Sequence, residues 1–372
     1  MKKLIFRKIF KDTTFLFILL SISLGVIVWT LQAVNYLDYV TQDGHGLKTY
    51  FLYSIFNFPK IVHRLIPFVF FISLFLIITG YELKNELVIF WTNGITKLKF
   101  ANKIIYISII LFFFQIFIGS FVSPLFQYKS RMHLKNSDIN FFSSLIKEGK
   151  FINAVSGLTI FIESKNIDGT FKNIFIDDSS KKNTKMIYAR NGKIVDTNNK
   201  KIFKLSKGKV INKEKSKINV FEFDKIDFSL SEYSSNTILV PKIQEISSTE
   251  LIFCSLKTTL KIEIDKKIRI LNCTTSLIEE VNQELFKRFY KPIYIPLIAI
   301  ICSFLIILPK SSRNYKSQSR LIFLFGFLIL IFSETTLRYS TNSNLFMAMY
   351  IILPWIFFLI IYTIFYMKVK NV

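Results

Sequence analysis

Runs of almost unbroken apolar residues alternate with short polar, mostly basic segments through the first third and the last quarter of the chain. The first run, 13–33, is roughly 20 residues long, enough to cross the hydrocarbon core of a bilayer. Comparable runs follow at 61–80, 104–125, 290–308, 321–336 and 345–367. The pattern predicts six spans, three before and three after a central region with a different period. In that region, 135–240, apolar residues come in short alternating bursts such as Leu158-Thr159-Ile160-Phe161-Ile162, Asn173-Ile174-Phe175-Ile176 and Val220-Phe221-Glu222-Phe223. Turn signals at Asp168-Gly169, Asn191-Gly192, Asn198-Asn199 and Lys207-Gly208 separate them. About eight strands in a β-sandwich or jelly-roll-like domain is the economical expectation. The fold class is an α+β membrane protein. Its segments are 1–134 with spans one to three, 135–245 as the β domain, and 246–372 as a connection and spans four to six.

Charge sets the orientation. Lys2, Lys3, Arg7, Lys8 and Lys11 precede the first run; Lys97, Lys99 and Lys103 precede the third; Lys310, Arg313, Lys316 and Arg320 lie between the fourth and fifth; Lys368 and Lys370 close the chain. Basic residues beside spans are retained in the cytoplasm, so both termini are expected inside and the β domain outside. The first run is longer than a signal-peptide core and ends in no small-x-small site, so an uncleaved helix is expected. Lys287, Arg288 and Lys291, at the entry to the fourth span, run against the rule. Pro67 is expected to kink the second span unless it lies in the first turn.

One stretch, 81–100, is too polar to span and too apolar for an ordinary loop. On a helical wheel Leu83, Leu87, Phe90 and Trp91 share a face while Glu82, Glu86 and Asn93 fall on a neighbouring one. An amphipathic helix over 81–93 is expected, lying on the cytoplasmic side. Asn93-Gly94 is its natural stop. An acidic-faced helix there is suited to docking a soluble partner; the bland alternative is a helix resting on headgroups.

The composition narrows the function classes. The chain has 372 residues, 51% hydrophobic and 16% aromatic, with a formal net charge of +24. The lysines are scattered among apolar runs, which points to anionic lipid and away from nucleic acid. The three cysteines and three histidines show no metal-ligand spacing, and the pattern favours free thiols over a Cys254–Cys273 disulfide. No phosphate-binding loop, zinc-protease helix or nucleophile elbow occurs. No catalytic residue, metal or cofactor is expected, and any ATP used is bound by another subunit.

Three stretches resemble the LptF/LptG permease family of the bacterial lipopolysaccharide exporter, in an order that covers essentially the whole chain. Glu86-Leu87-Val88 through Gly94-Ile95-Thr96 is similar to the family's pattern between spans two and three. Gly149-Lys150-Phe151, Gly157-Leu158-Thr159-Ile160-Phe161-Ile162 and Ala189-Arg190-Asn191-Gly192 look like its β-domain signposts. Leu285-Phe286-Lys287-Arg288-Phe289 to Pro292 resembles the opening of its fourth span. Asn35-Tyr36-Leu37-Asp38-Tyr39 with Gly44 or Gly46 looks more like the LptF branch. Trp91 departs from the pattern, standing where relatives commonly have arginine.

The resemblance implies a non-enzymatic permease subunit in the bacterial inner membrane. Its implied partners are an LptG-like permease, an LptB-like ATPase dimer, and an LptC-like bridge protein reached through the β domain. It implies an ATPase-coupling role for Glu82, Glu86, Leu87, Phe90, Trp91 and Gly94. With lipopolysaccharide as substrate, the outward-side cations Lys129, Arg131, Lys287, Arg288 and Arg338 become candidate phosphate contacts. The competing classes are a permease of another lipid or lipoprotein exporter and an integral membrane lipid-modifying enzyme. For the last, only scattered acids such as Glu334 and Asp138 are available.

Overall fold

A computed structural model describes the chain except residues 1, 38–46, 137–147, 156–157, 167, 180–183, 198–199, 215–216, 230–240, 261–272, 274–276, 342 and 371–372. Asp138 and Asn198-Asn199 lie outside the described residues. Two compact units are present: residues 1–34, 54–130 and 241–372 form the first, and 35–53 with 131–240 the second.

Six helical runs in the structure are long and apolar enough to cross a membrane. They are built from α1 (Lys2–Tyr36), α2 and α3 (Leu47–Phe56, Phe58–Leu83), α5 and α6 (Lys97–Phe117, Ser123–Asn136), α8 and α9 (Ile278–Leu285, Tyr294–Ser303), α10 (Tyr315–Tyr339) and α11 (Asn344–Lys370). The short α4 (Glu86–Thr92) follows α3, and α7 (Ser248–Leu260) precedes α8. Pro67 sits inside α3, with no break in the helix assignment there. Two runs are interrupted instead by π-turns, Ile118–Val122 between α5 and α6 and Phe286–Tyr290 after α8.

The first unit is organised around α9, in which Tyr294, Ile295 and every residue from Leu297 to Ser303 are buried. It is packed by α3, α5, α10 and α11. The apolar window of its run is 72% buried, against 6% for α1 and 11% for α11. In water such faces would mark an unfinished core, whereas in a bilayer lipid or another membrane chain satisfies them without a hydrophobic penalty.

The second unit carries six antiparallel strands: β1 (Lys150–Val155), β2 (Leu158–Lys165), β3 (Thr170–Asp178), β4 (Thr184–Thr197), β5 (Lys200–Glu214) and β6 (Lys217–Ser229). They pair in chain order as one sheet. The inserted β domain is thus present; against an expectation of about eight strands, the six described ones form a single meander. The Asp168-Gly169 turn joins β2 to β3; Thr170 donates to Asp168 Oδ1 from its hydroxyl (2.7 Å) and its N–H (3.2 Å). Those bonds hold the exposed Asp168 carboxyl below the usual carboxylate range.

Asn191-Gly192 and Lys207-Gly208 are not turns. They lie within β4 and β5, which makes those strands 14 and 15 residues long. Lys207 takes a left-handed φ of 55°, yet the pairing keeps one register on either side of it, with Gly208 opposite Ala189 and Ser206 opposite Asn191. A Cβ on Gly208 would lie 2.0 Å from the Tyr188 carbonyl oxygen, so only glycine fits. One face of the sheet is apolar, with Ile160, Ile176, Ile187 and Val210 in register across four strands and all buried. The other carries an aromatic row, Phe151, Phe161, Phe175 and Tyr188, with successive centroids 4.7 Å apart at its two ends.

Candidate functional site

The 81–93 helix expected from the wheel is in fact two pieces. Tyr81, Glu82 and Leu83 finish α3, the Lys84 and Asn85 N–H groups turn back to the Gly80 and Glu82 carbonyls (both 3.1 Å), and α4 restarts at Glu86. Asn85 sits at φ 59° in the left-handed region, which asparagine tolerates better than other side-chain-bearing residues. The stop was read correctly. Gly94 N–H donates to the Trp91 carbonyl (2.9 Å) and Ile95 N–H to Phe90 (3.2 Å), closing a Schellman motif with Gly94 at φ 72°. The Thr96 hydroxyl then caps α5 by accepting from Lys99 N–H (3.2 Å).

The apolar face of α4 points into the bundle. Leu87, Phe90 and Ile95 are buried in one cluster with Tyr81 and Phe100. Phe90 stacks on Phe100 (5.9 Å) and meets Tyr81 edge-on (5.5 Å). Trp91, half-buried, packs edge-on against Phe100 (5.8 Å); an aromatic in place of a cation here adds to the packing.

The acids do not form the open face expected of them. Glu86 is ion-paired with Lys8 of α1, and Glu82 Oε1 accepts from the Lys310 backbone N–H (2.6 Å). Lys310 Nζ also donates to the Leu83 carbonyl (3.0 Å), and the Tyr81 hydroxyl donates to Asp12 of α1 (2.7 Å). The acids therefore fasten the α3–α4 turn to α1 and to the segment before α10. Outward, beside the exposed Lys84, Asn85 and Thr92, stand three apolar side chains: Leu83, Val88 and Ile89 are 55%, 55% and 56% exposed. The wheel placed Leu83 on the buried face because it assumed a continuous helix; the break at Asn85 rotates it out.

A second polar cluster lies where the fourth run begins. Arg288 is 1% exposed and donates to Glu284 Oε1 (3.0 Å), the carbonyls of Ile246 (2.9 Å) and Gln244 (3.0 Å), and Ser248 Oγ (2.9 Å). Ser248 in turn donates to the Ser120 carbonyl (2.8 Å) in the π-turn of the third run. One guanidinium thus ties both π-turns to the start of α7. Four of its five N–H groups are thus engaged inside the chain. Lys287 pairs with Glu284 (3.0 Å), and the buried Lys291 with Glu334 of α10. Beside them is a cavity of about 610 Å³ whose charged lining is Glu280, Glu284, Lys287, Glu334 and Arg338. Lys129 is exposed, with Nζ 5.9 Å from the Phe126 ring. Arg131 is half-buried in the second unit.

Cys254 and Cys273 form a disulfide (Cα–Cα 5.8 Å). The expectation of free thiols is corrected for this pair and holds for the buried Cys302. The cysteine count hid the pairing, because a third cysteine buried in α9 left the total odd. Among the described residues no group of three His, Cys, Asp or Glu side chains is placed to hold a metal.

A search of curated proteins finds no match. The family model described as lipopolysaccharide export system permease LptF/LptG matches residues 7–368, essentially the whole span from the basic end of α1 to the end of α11. Six apolar runs with a β sheet inserted between the third and fourth, and this match, establish that the chain belongs to the LptF/LptG family and is a multi-pass inner-membrane permease.

Proposed function

We propose that this chain is the LptF-type permease subunit of an ATP-driven lipopolysaccharide exporter, paired with an LptG-like permease above an LptB-like ATPase dimer. The observation that carries the reading is the outward apolar triad of Leu83, at the end of α3, with Val88 and Ile89 of α4, on a turn braced to α1 and to the segment before α10. A helix seated on headgroups needs no such bracing; a helix that receives a push does. ATP binding in the partner displaces α4. The Glu86–Lys8 and Tyr81–Asp12 contacts carry the displacement into α1, and the Glu82–Lys310 contact carries it into α10. Because α1 is the span with the smallest buried share, it moves at least cost in packing.

The orientation puts both termini in the cytoplasm and the β domain in the periplasm. Lys3, Arg7, Lys310 and Lys368 at one end support it. The Cys254–Cys273 disulfide near the other end belongs in an oxidising compartment. On this reading Lys129, Lys287 and Arg338 remain candidates for lipopolysaccharide phosphates, and an open edge of the β sheet continues into an LptC-like bridge protein.

The test is co-purification of the ATPase, with lipid release from proteoliposomes. Ile89→Asp should leave the permease folded, since the side chain is exposed, yet reduce ATPase recovery and release about tenfold, because a buried carboxylate without a partner costs more than 1.4 kcal/mol. Normal recovery and release in Ile89→Asp would remove α4 from the coupling role.

A further inference from the structure

Between the first turns of α1 and of α5 lies a groove of about 420 Å³ lined by Lys3, Phe6, Arg7, Phe10, Lys103 and Tyr106. None of these residues belongs to the coupling turn or to the Arg288 cluster. We propose that this groove binds the phosphate headgroup of an anionic glycerophospholipid in the leaflet at the amino-terminal end of α1.

The sequence builds the groove simply. Lys3, Arg7 and Phe10 are spaced i, i+4, i+7, so one helical face carries two cations and an aromatic, with Phe6 beside them. Lys103 and Tyr106 are i, i+3 on α5, and Lys103 Nζ lies 4.5 Å from the Tyr106 ring centroid. Three cations therefore face one space. The acids that could neutralise them are engaged elsewhere: Asp12 accepts from Tyr81, and Glu86 pairs with Lys8. Among the described residues no carboxylate lines the groove.

The lining distinguishes the kind of anion. Half of it is aromatic, and Phe10 and Tyr106 are exposed, the arrangement expected of rings at a membrane–water interface. A pocket of this size takes a glycerophosphate and the first methylenes of its chains. Inorganic phosphate would use the cations and leave the aromatic floor wet. An acidic peptide would match the charges but not the bilayer-facing rings. A lipid bound here joins the amino end of α1, the least packed span, to α5, and acts beside the Glu86–Lys8 brace.

The experiment uses the full-length permease, purified with the subunits it retains, stripped of lipid and reconstituted in phosphatidylcholine. Phosphatidylglycerol is titrated in, with added phosphatidylcholine and sodium phosphate as parallel arms. Bound lipid is read by native mass spectrometry and stability by thermal unfolding. The variant is Lys3→Gln/Arg7→Gln/Lys103→Gln; the charge-matched control is Arg313→Gln/Lys316→Gln/Arg320→Gln. The expected result is at least tenfold preferential retention of phosphatidylglycerol with a rise in Tm, lost in the groove variant and kept in the control. Should the triple variant misfold, Arg7→Gln alone is expected to reduce retention several-fold. Equal loss in the control, full retention in Arg7→Gln and the triple variant, or the same Tm rise from sodium phosphate would overturn the proposal. So would a partner protein crosslinking to Phe10 while phosphatidylglycerol is not retained.

Discussion

Arg288 shows how a charge that violates a topological rule can be a structural solution. Basic residues are disfavoured on the outer side of a span, which is why Lys287, Arg288 and Lys291 invite a substrate role. In the fold, Arg288 instead satisfies the Gln244 and Ile246 carbonyls of the irregular chain entering α7 and, through the Ser248 hydroxyl, is linked to the Ser120 carbonyl in the π-turn of the third run. A guanidinium, with donors fanned in a plane, can serve four acceptors at once, whereas an ammonium cannot. Arg288→Ala leaves Glu284 with Lys287 alone and two carbonyls without their donor. Breaking a buried pair of this kind costs about 3 kcal/mol or more. The expected outcome is a large fall in the Tm of the purified permease, with Arg288→Lys intermediate. A wild-type melt in Arg288→Ala together with weakened lipopolysaccharide binding would instead restore the role of phosphate contact.

At the scale of elements, the α3–α4–α5 turn depends on two backbone positions, Asn85 and Gly94. Gly94→Ala forces a side chain into a left-handed conformation, at about 1 kcal/mol, and leaves Leu87 and Phe90 packed. Its effect should therefore appear as a weaker grip on the ATPase and only a small loss of Tm. Glu86→Arg sets like charges together at Lys8, and its damage should be suppressed by Lys8→Glu. Failure of that second change to restore function would show that Glu86 acts on the partner and not on α1. The stop at Gly94 and the inward face were legible in sequence because a Schellman end and a 3.6-residue period are local properties. The break at Asn85 was not, since no glycine or proline announces it. Two of the expected turns failed for a related reason. Gly192 and Gly208 read as turn residues, yet both lie inside strands: Gly208 is required there by backbone approaching to 2.0 Å, and Gly192 makes room for the Ile174 and Phe203 side chains, 2.5 and 2.7 Å from where a Cβ would lie.

For the whole molecule, the six runs and the inserted sheet followed from period and length alone, because a bilayer demands continuous apolar stretches. The pairing of distant polar groups, Lys8 with Glu86 or Lys291 with Glu334, could not be read that way, since nothing local ties them. The proposed orientation draws on two independent lines, the basic ends and the Cys254–Cys273 disulfide, and a single labelling experiment joins them. In intact cells, a membrane-impermeant maleimide should leave the native chain unlabelled, because Cys302 is buried and the other two thiols are bonded. After outer-membrane permeabilisation, brief reduction should make Cys254 and Cys273 reactive, while a cysteine introduced at Gly94 or Arg313 stays protected until the inner membrane is broken. Cys254→Ser/Cys273→Ser removes a link across 19 residues of sequence, worth about 3 kcal/mol on chain-entropy grounds, and should lower Tm without touching the coupling turn. Labelling of position 94 before that of reduced Cys273 would invert the molecule, place the apolar triad of the α3–α4 turn outside, and end its proposed docking to an ATPase in the cytoplasm.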